Sequence, residues 1–485
     1  MVILRRLLLL IRNSLLFQII LGIFLFLIFQ KLCVYYSFHT SFNDFYHKAN
    51  ATWNIYQDNG MLINLWGKSY LSNHFYPFHY LIAIFYFIFP TPVWMMLFQV
   101  VCQTIMAAAI LKLAEEQLGR KGLIVTTALL FANYSFRRFN IEPLFGESVM
   151  APLVAWIIYF LIHRKDRFVL ILTLLLFFTK ESVASIVVMI GAYYFLFRKK
   201  YIYGAFLALI AIFHALFLIY YFIPSFNPAG YDFSSYFAYS GGDLSTKFFR
   251  IFNGRDIGYL IGLLLPLGFL PLFCEYFILG LGVMAQNILS VHQKLMIDLG
   301  YHTSQPLIPI LFMSAILVYS KFSKSIKPPF IFKYFRSFII ISIALNLLLF
   351  TFLDLRVFYF DSFAADTHRF LSQIPPTASA SGSKYIGAHL SQRSQFYRFP
   401  RHQDADYIIV ENRDQLLSHH QPHAQVGQLL SDGYYLSTLK ALVFDASPHN
   451  ASYYLAIEKL RNNPNYEIIG EGRGVLLFKR TGALK

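Results

Sequence analysis

Long apolar stretches separated by short polar runs organise most of this chain. The first runs from Leu15 to about Tyr36, behind Arg5, Arg6 and Arg12. It is long enough to span a bilayer and no small-residue cleavage site follows it, so it reads as an uncleaved first helix rather than a signal peptide. Further apolar runs predict helices near 92–112, 121–136, 147–163, 167–179, 183–197, 202–223, 257–272, 274–290, 305–320 and 337–354, about eleven spans in all. Two close pairs among them fit either full spans or re-entrant hairpins, and both readings keep the same parity.

One interruption stands out. Thr179-Lys180-Glu181-Ser182 lies between apolar runs of roughly 13–16 residues, short for independent spans. An adjacent cation and carboxylate at membrane depth cost several kcal/mol unless they are paired or wet. The pattern predicts a tight helical pair whose tip carries Lys180 and Glu181 to the membrane surface. Tyr76–Pro90 is apolar but short, and it reads as an interfacial or half-inserted helix, because a full span there would invert every later loop.

From about residue 355 the pattern changes. Ala405–Glu411 reads as a buried strand and Tyr453–Arg461 as an amphipathic helix. Tyr466–Ile469 and Gly474–Lys479 read as strands around a turn at Gly470–Arg473. The predicted fold class is therefore an α-helical polytopic membrane protein with a small C-terminal extracytoplasmic α/β domain. Residues 1–354 form the membrane domain, with outer loops 37–91 and 224–256, and residues 355–485 form the soluble domain. No internal repeat of fixed period is present.

Composition agrees: 57% of residues are hydrophobic, 18% aromatic and only 14% charged, whereas soluble domains carry about 25% charged residues. The formal charge of +16 does not point to nucleic acid, because the basic residues sit in short inter-helix loops. Lys112/Arg120/Lys121, Arg164/Lys165/Arg167, Arg198/Lys199/Lys200 and the Lys321–Arg336 group all fall on one side if the spans alternate. That is the positive-inside pattern, which places the N-terminus in the cytoplasm and the C-terminal domain on the opposite, outer face. The cysteines, Cys33, Cys102 and Cys274, lie in apolar stretches and suggest no disulfide framework.

Candidate chemistry gathers at the outer ends of the predicted spans. Asp44, a few residues beyond the first helix, is placed to act as a general base or to hold a cation against a phosphate, whereas Asp58 reads as a loop carboxylate. His74 and His79 flank Pro77, where an imidazole could bind phosphate or shuttle a proton. Lys180 is a compact cation suited to an anionic headgroup, with Glu181 to orient it or take a proton. Glu147 opens a helix beyond Glu142, Arg137 and Arg138, and His302 precedes the tenth span. Glu275 reads as a turn residue. No ligand spacing indicates a metal, although the acidic set is compatible with a divalent cation.

Taken together, these pieces resemble a family of bacterial multi-pass membrane proteins defined only as a domain of unknown function. The resemblance rests on Asp44, His74-Phe75-Tyr76-Pro77, Lys180-Glu181, Pro266-Leu267-Gly268-Phe269-Leu270-Pro271 and Tyr301-His302. Ile374-Pro375-Pro376 and Ala405-Asp406-Tyr407 extend it over nearly the whole chain. The chain departs at Pro143-Leu144-Phe145-Gly146-Glu147, where the family has an Asp-Phe-His-Pro-Glu-like segment, and at Ser182, where it has Asp. If the replaced His and Asp are catalytic in relatives, activity here is altered or absent.

The family is in turn similar in layout to the C-type glycosyltransferases, which use polyprenyl-phosphate sugars. That resemblance implies transfer from a lipid-linked sugar at the extracytoplasmic face, with Asp44 and Glu181 catalytic. Lys180, His74, His302, Glu147 and His79 would bind substrate, and an apolar groove would hold the isoprenoid tail. A transporter or flippase of lipid-linked or small polar substrates, and a non-catalytic membrane scaffold, are the alternatives. The first would favour Gly/Pro-broken helices at corresponding places in two halves, a symmetry the sequence does not show.

Overall fold

The computed structural model describes residues 14–40, 42–227, 254–290, 297–324, 362–383, 385–402, 405–412 and 451–482, with isolated positions between 340 and 360. The chain divides into two compact units. The first comprises residues 1–29, 71–82 and 93–350, and the second residues 30–70, 83–92 and 351–485. Helix α1 (Leu15–Tyr36) begins in the first unit and ends in the second.

In the second unit, a π-helical turn at Phe42–Tyr46 leads into α2 (His47–Tyr56) and a two-stranded hairpin, β1 (Leu62–Ile63) with β2 (Lys68–Ser69). Helix α3 (Phe78–Tyr86) crosses from the first unit into the second. Its Tyr80, Leu81, Ile84 and Phe85, and the following Phe87, Ile88 and Phe89, are exposed apolar side chains before Pro90. Nine residues cannot cross a 30 Å core, so the half-helix reading fits its length.

The first unit is helical. Helix α4 (Val93–Ala132) holds both apolar runs expected at 92–112 and 121–136; Gly119, at φ +68°, breaks it into two arms. The Asn133 side chain then accepts from the Phe136 amide at 2.9 Å and caps α5 (Tyr134–Ile141). There follow α6 (Gly146–Ile162), α7 (Asp166–Leu176), α8 (Ala184–Leu196), α9 (Tyr201–Phe217), α10 (Gly254–Leu264), α11 (Ile278–Leu289) and α12 (Leu307–Ser323). Helices α8 and α9 meet backbone to backbone: a Cβ on Gly191 would lie 2.6 Å from the Gly204 carbonyl oxygen. Small residues permit that approach where lipid offers no hydrophobic driving force.

Among the described residues, four helical segments, Leu15–Tyr36, Val93–Ala132, Tyr201–Ser225 and His302–Ser323, are long and apolar enough to cross a membrane. Gly146–Ile162, Glu181–Leu196, Asp256–Leu267 and Glu275–Leu289 are shorter apolar helices. The run expected at 337–354 lies almost wholly outside the described residues, and the expected count of eleven includes it.

The C-terminal part of the second unit carries α13 (Ser362–Leu371) and α14 (Ala451–Arg461). Its strands are β3 (Ala380–Gly382), β4 (Phe396–Arg398), β5 (Tyr407–Glu411), β6 (Tyr466–Gly472) and β7 (Val475–Arg480). They form one sheet in the order β4-β3-β5-β7-β6, parallel among β4, β3 and β5 and antiparallel from β5 onward. Ile408, Val410, Leu476 and Phe478 pack with Tyr453, Ile457 and Leu460 in its core. The expected strand and helix are both present.

The hairpin differs from expectation. Its ladder continues to Gly472 opposite Val475, so the turn is Arg473-Gly474, with Gly474 at φ +79°. Gly470 and Gly472 are strand residues because α13 presses on them. A Cβ on Gly470 would lie 2.8 Å from the Phe370 ring, and one on Gly472 would lie 2.7 Å from the Asp366 side chain.

The boundary expected at 354/355 is crossed in this unit by the first loop. Asn50 donates to the Ser391 carbonyl at 2.7 Å and accepts from the Asn64 amide at 2.8 Å. Asn64 donates to the Arg393 carbonyl at 2.9 Å. Asparagine side chains thus pair loop backbone that has no ladder partner of its own.

Candidate functional site

The polar run between α7 and α8 is a turn whose charges are buried within the protein. Thr179 ends α7 by donating its hydroxyl to the Leu176 carbonyl at 2.7 Å. Lys180 is extended (φ −170°, ψ 158°), and Glu181 opens a 3-10 turn through Val183. Lys180 and Glu181 are 7% and 6% exposed, so both charges need partners within the protein. The extended backbone between them lets the two side chains find different ones.

Lys180 pairs with Glu147 at the start of α6, Nζ to Oε1 at 2.7 Å. Gly146 makes this possible. A Cβ there would lie 2.8 Å from Lys180 Cβ, from the Thr179 carbonyl oxygen and from the Tyr76 ring. The Phe145 amide donates to Ser148 Oγ at 3.2 Å, and Ser148 donates to Gln305 Oε1 at 2.9 Å, tying the start of α6 to the approach of α12. His302, in the turn His302–Ser304 before α12, brings Nδ1 to 3.3 Å from Glu147 Oε2. Its ring stacks on Phe145 with centroids 3.6 Å apart.

Glu181 turns the other way. Its Oε1 lies 2.8 Å from His74 Nδ1, and its Oε2 accepts from the Phe75 amide at 3.1 Å. Tyr76 adjoins both halves of the cluster: its ring stacks on His74 with centroids 5.3 Å apart and lies 5.8 Å from Lys180 Nζ. Just beyond this turn, Ala184, Val188, Met189, Ile212, Leu216 and Ile219 line an apolar recess of about 310 Å³.

Of the residues singled out in the sequence, His74, Glu147, Lys180, Glu181 and His302 form this one cluster. His79 is buried on α3, its ring stacked near that of Tyr76 with centroids 6.2 Å apart. Asp44 is half-buried in the second unit's π-helical turn, and Asp58 is exposed at φ +61° after α2. Glu142 pairs with Arg138 one turn back at 2.6 Å, and Arg137 donates to the Phe131 carbonyl at 3.0 Å, so that loop's charges serve helix ends. Glu275 accepts from the Tyr193 hydroxyl at 3.2 Å.

Sequence reasoning missed Tyr76, Gly146, Ser148 and Gln305. Only Gly146, directly before a helix-opening glutamate, offered a local signal. Among the described residues, no group of three or more His, Cys, Asp or Glu is arranged to hold a metal ion.

Apolar helices of spanning length, an ionic cluster buried where shorter apolar helices and the His302–Ser323 segment begin, and a sheet-bearing unit define a multi-pass membrane protein. The chain belongs to the predicted membrane protein family DUF2079, whose model matches residues 34–476. Solved structures that share its fold include two states of one protein. ArnT from Cupriavidus metallidurans bound to undecaprenyl phosphate is 10% identical with a TM-score of 0.53, over 95% of this chain and 97% of that one. The apo state of the same protein is 12% identical with a TM-score of 0.51, over 92% and 95%. At such identities the likeness concerns the fold alone. No curated protein matches the chain by sequence.

Proposed function

We propose that this protein is a membrane glycosyltransferase that uses a polyprenyl-phosphate-linked sugar at the extracytoplasmic face. The observation that carries this reading is the buried Lys180, held at 2.7 Å by Glu147 in a turn that leads, four residues later, into the apolar recess at Ala184. A lipid phosphate calls for a fixed cation and its tail for apolar lining; the turn carries the first and the helices that follow carry the second. Lys180 would stabilise the charge that develops on the departing phosphate, in surroundings where electrostatics act with little screening. Glu147 and His302 would hold the lysine in place, and the recess would take the first isoprenoid units. An ArnT-like fold in a structure that holds undecaprenyl phosphate supports the same substrate class. The positive-inside loops support the extracytoplasmic face. For the base that activates the acceptor there are two candidates, Asp44, which the family resemblance implies, and the His74 imidazole.

Purified protein in nanodiscs, supplied with a panel of polyprenyl-phosphate sugars, tests the proposal. Transfer or donor hydrolysis by wild type, with the KM for donor raised at least tenfold in Lys180→Ala, is the expected result. A wild type that binds undecaprenyl phosphate no better than Lys180→Ala, and turns over no donor, overturns it.

A further inference from the structure

The two carboxylates of the cluster do different work, and the difference identifies a base. Glu147 divides its charge between Lys180 at 2.7 Å and His302 at 3.3 Å, so the lysine already offsets it. Glu181 gives one oxygen to His74 Nδ1 at 2.8 Å and the other to a neutral amide, that of Phe75, at 3.1 Å. Its negative charge is therefore directed at the His74 ring. A carboxylate acceptor requires the proton on Nδ1, which puts the lone pair of the neutral ring on Nε2. The imidazole plane is set by the carboxylate and by stacking on Tyr76, 18° from parallel.

Burial separates the two histidines as well. His74 keeps 17% of its side chain accessible against 7% for His302, whose face is covered by Phe145. A clamp on the loop alone would need only the Phe75 amide bond. A buried carboxylate directed at a partly accessible imidazole is the arrangement that fixes a tautomer and stabilises an imidazolium.

We propose that His74 is the general base for the acceptor and that Glu181 is its positioning residue. The assignment rests on the glycosyl-transfer reading. The acceptor class is a hydroxyl compound. Its oxygen forms the bond to the anomeric carbon as its proton passes to His74 Nε2. The bond from that carbon to the phosphate oxygen breaks, and its electron pair leaves on the lipid phosphate beside Lys180. His74 then returns the proton to water. Because Glu181 follows Lys180 in the chain, one turn orients the base and places the cation for the leaving group.

The test combines kinetics with a measurement that needs no turnover. In nanodiscs, His74→Ala is expected to lower kcat at least 100-fold, within the range general bases contribute. The KM for donor should stay within about threefold, and added imidazole should restore part of the rate. Glu181→Gln keeps an acceptor for the Phe75 amide but removes the charge, and should lower kcat about tenfold or more without raising the KM for donor. Nitrogen-15 NMR of histidine-labelled protein should show His74 in the Nδ1–H form in wild type and shifted toward Nε2–H in Glu181→Leu. An active wild type whose His74→Ala variant keeps its kcat, or is not rescued by imidazole, overturns the base. An Nε2–H tautomer in wild type overturns the dyad. A wild type inactive with every donor but showing the Nδ1–H form removes the glycosyl-transfer reading, and the base with it, while leaving the dyad intact.

Discussion

Replacing Glu147 with Gln keeps the shape of the side chain but withdraws the charge facing Lys180. The lysine side chain is 9% exposed and its Nζ is 2.7 Å from the carboxylate, so the charge left behind stays largely out of water. Breaking a buried ion pair from one side costs about 3–5 kcal/mol, because the remaining charge stays desolvated. Gln retains an acceptor oxygen, which recovers part of this, so about 2–4 kcal/mol is the expected loss. Lys180→Met should cost a similar amount, because it leaves Glu147 facing only His302. In the double variant neither charge is buried, and most of the loss should be recovered. The coupling energy is therefore expected to be at least about 2 kcal/mol and favourable to the native pair. Reversible unfolding in mixed micelles, followed by helical circular dichroism as denaturing detergent is added, measures all four corners of the cycle. Additivity within about 0.5 kcal/mol would mean that the two charges are independently solvated and would refute the description of a buried pair.

Gly146→Ala should loosen the same site from the backbone side. The new Cβ meets three atoms at 2.8 Å, one of them a carbonyl oxygen. A loss of about 1–3 kcal/mol in the same detergent titration is expected, and an unchanged midpoint would contradict the close approach. In the second unit, Asn50→Ala removes the bonds to Ser391 and Asn64. It should cost about 2–3 kcal/mol, read as faster amide exchange in residues 47–64; unchanged exchange would show that the loop is held by other means. The same unit should lose stability in mild acid. Burial pushes the His389 imidazole down to about 3 and that of His47 to about 4, so both are neutral when folded. As pH falls below about 6.5 the unfolded chain takes up protons first. Stability is therefore complete above 6.5 and is lost progressively toward 4 and 3, by about 3 kcal/mol for the pair at pH 5.5. Limited proteolysis of the second unit between pH 7.5 and 5.5 measures this, and His389→Phe should flatten the dependence if the imidazole causes it. Acid resistance equal in wild type and variant would refute it.

Much of the site was legible because a charged residue beside apolar runs is conspicuous wherever its partner lies. Lys180, Glu181, Glu147, His74 and His302 were all visible as polar residues at the ends of apolar runs. Their grouping was not, since the Glu147–Lys180 contact spans 33 residues and the His74–Glu181 contact 107, and no local pattern encodes either. The same limit explains the turn at 179–182. An adjacent cation and carboxylate can be solved by water or by partners, and the run reads alike in both cases. In the hairpin, Gly470 looked like a turn residue because glycine is usual there, whereas packing against Phe370 requires it inside the strand.

By itself, then, the sequence determined the membrane class, most helical segments, the β5 strand, the α14 helix and the need of each buried charge for a counterpart. Those follow from hydropathy, period and desolvation, which act over a few residues. The tertiary structure decided which carboxylate meets Lys180, which imidazole meets Glu181, and that the first loop shares a unit with the C-terminal sheet. Such choices are made by distance and geometry between segments far apart in the chain, where several pairings satisfy the same local demand and packing leaves room for one.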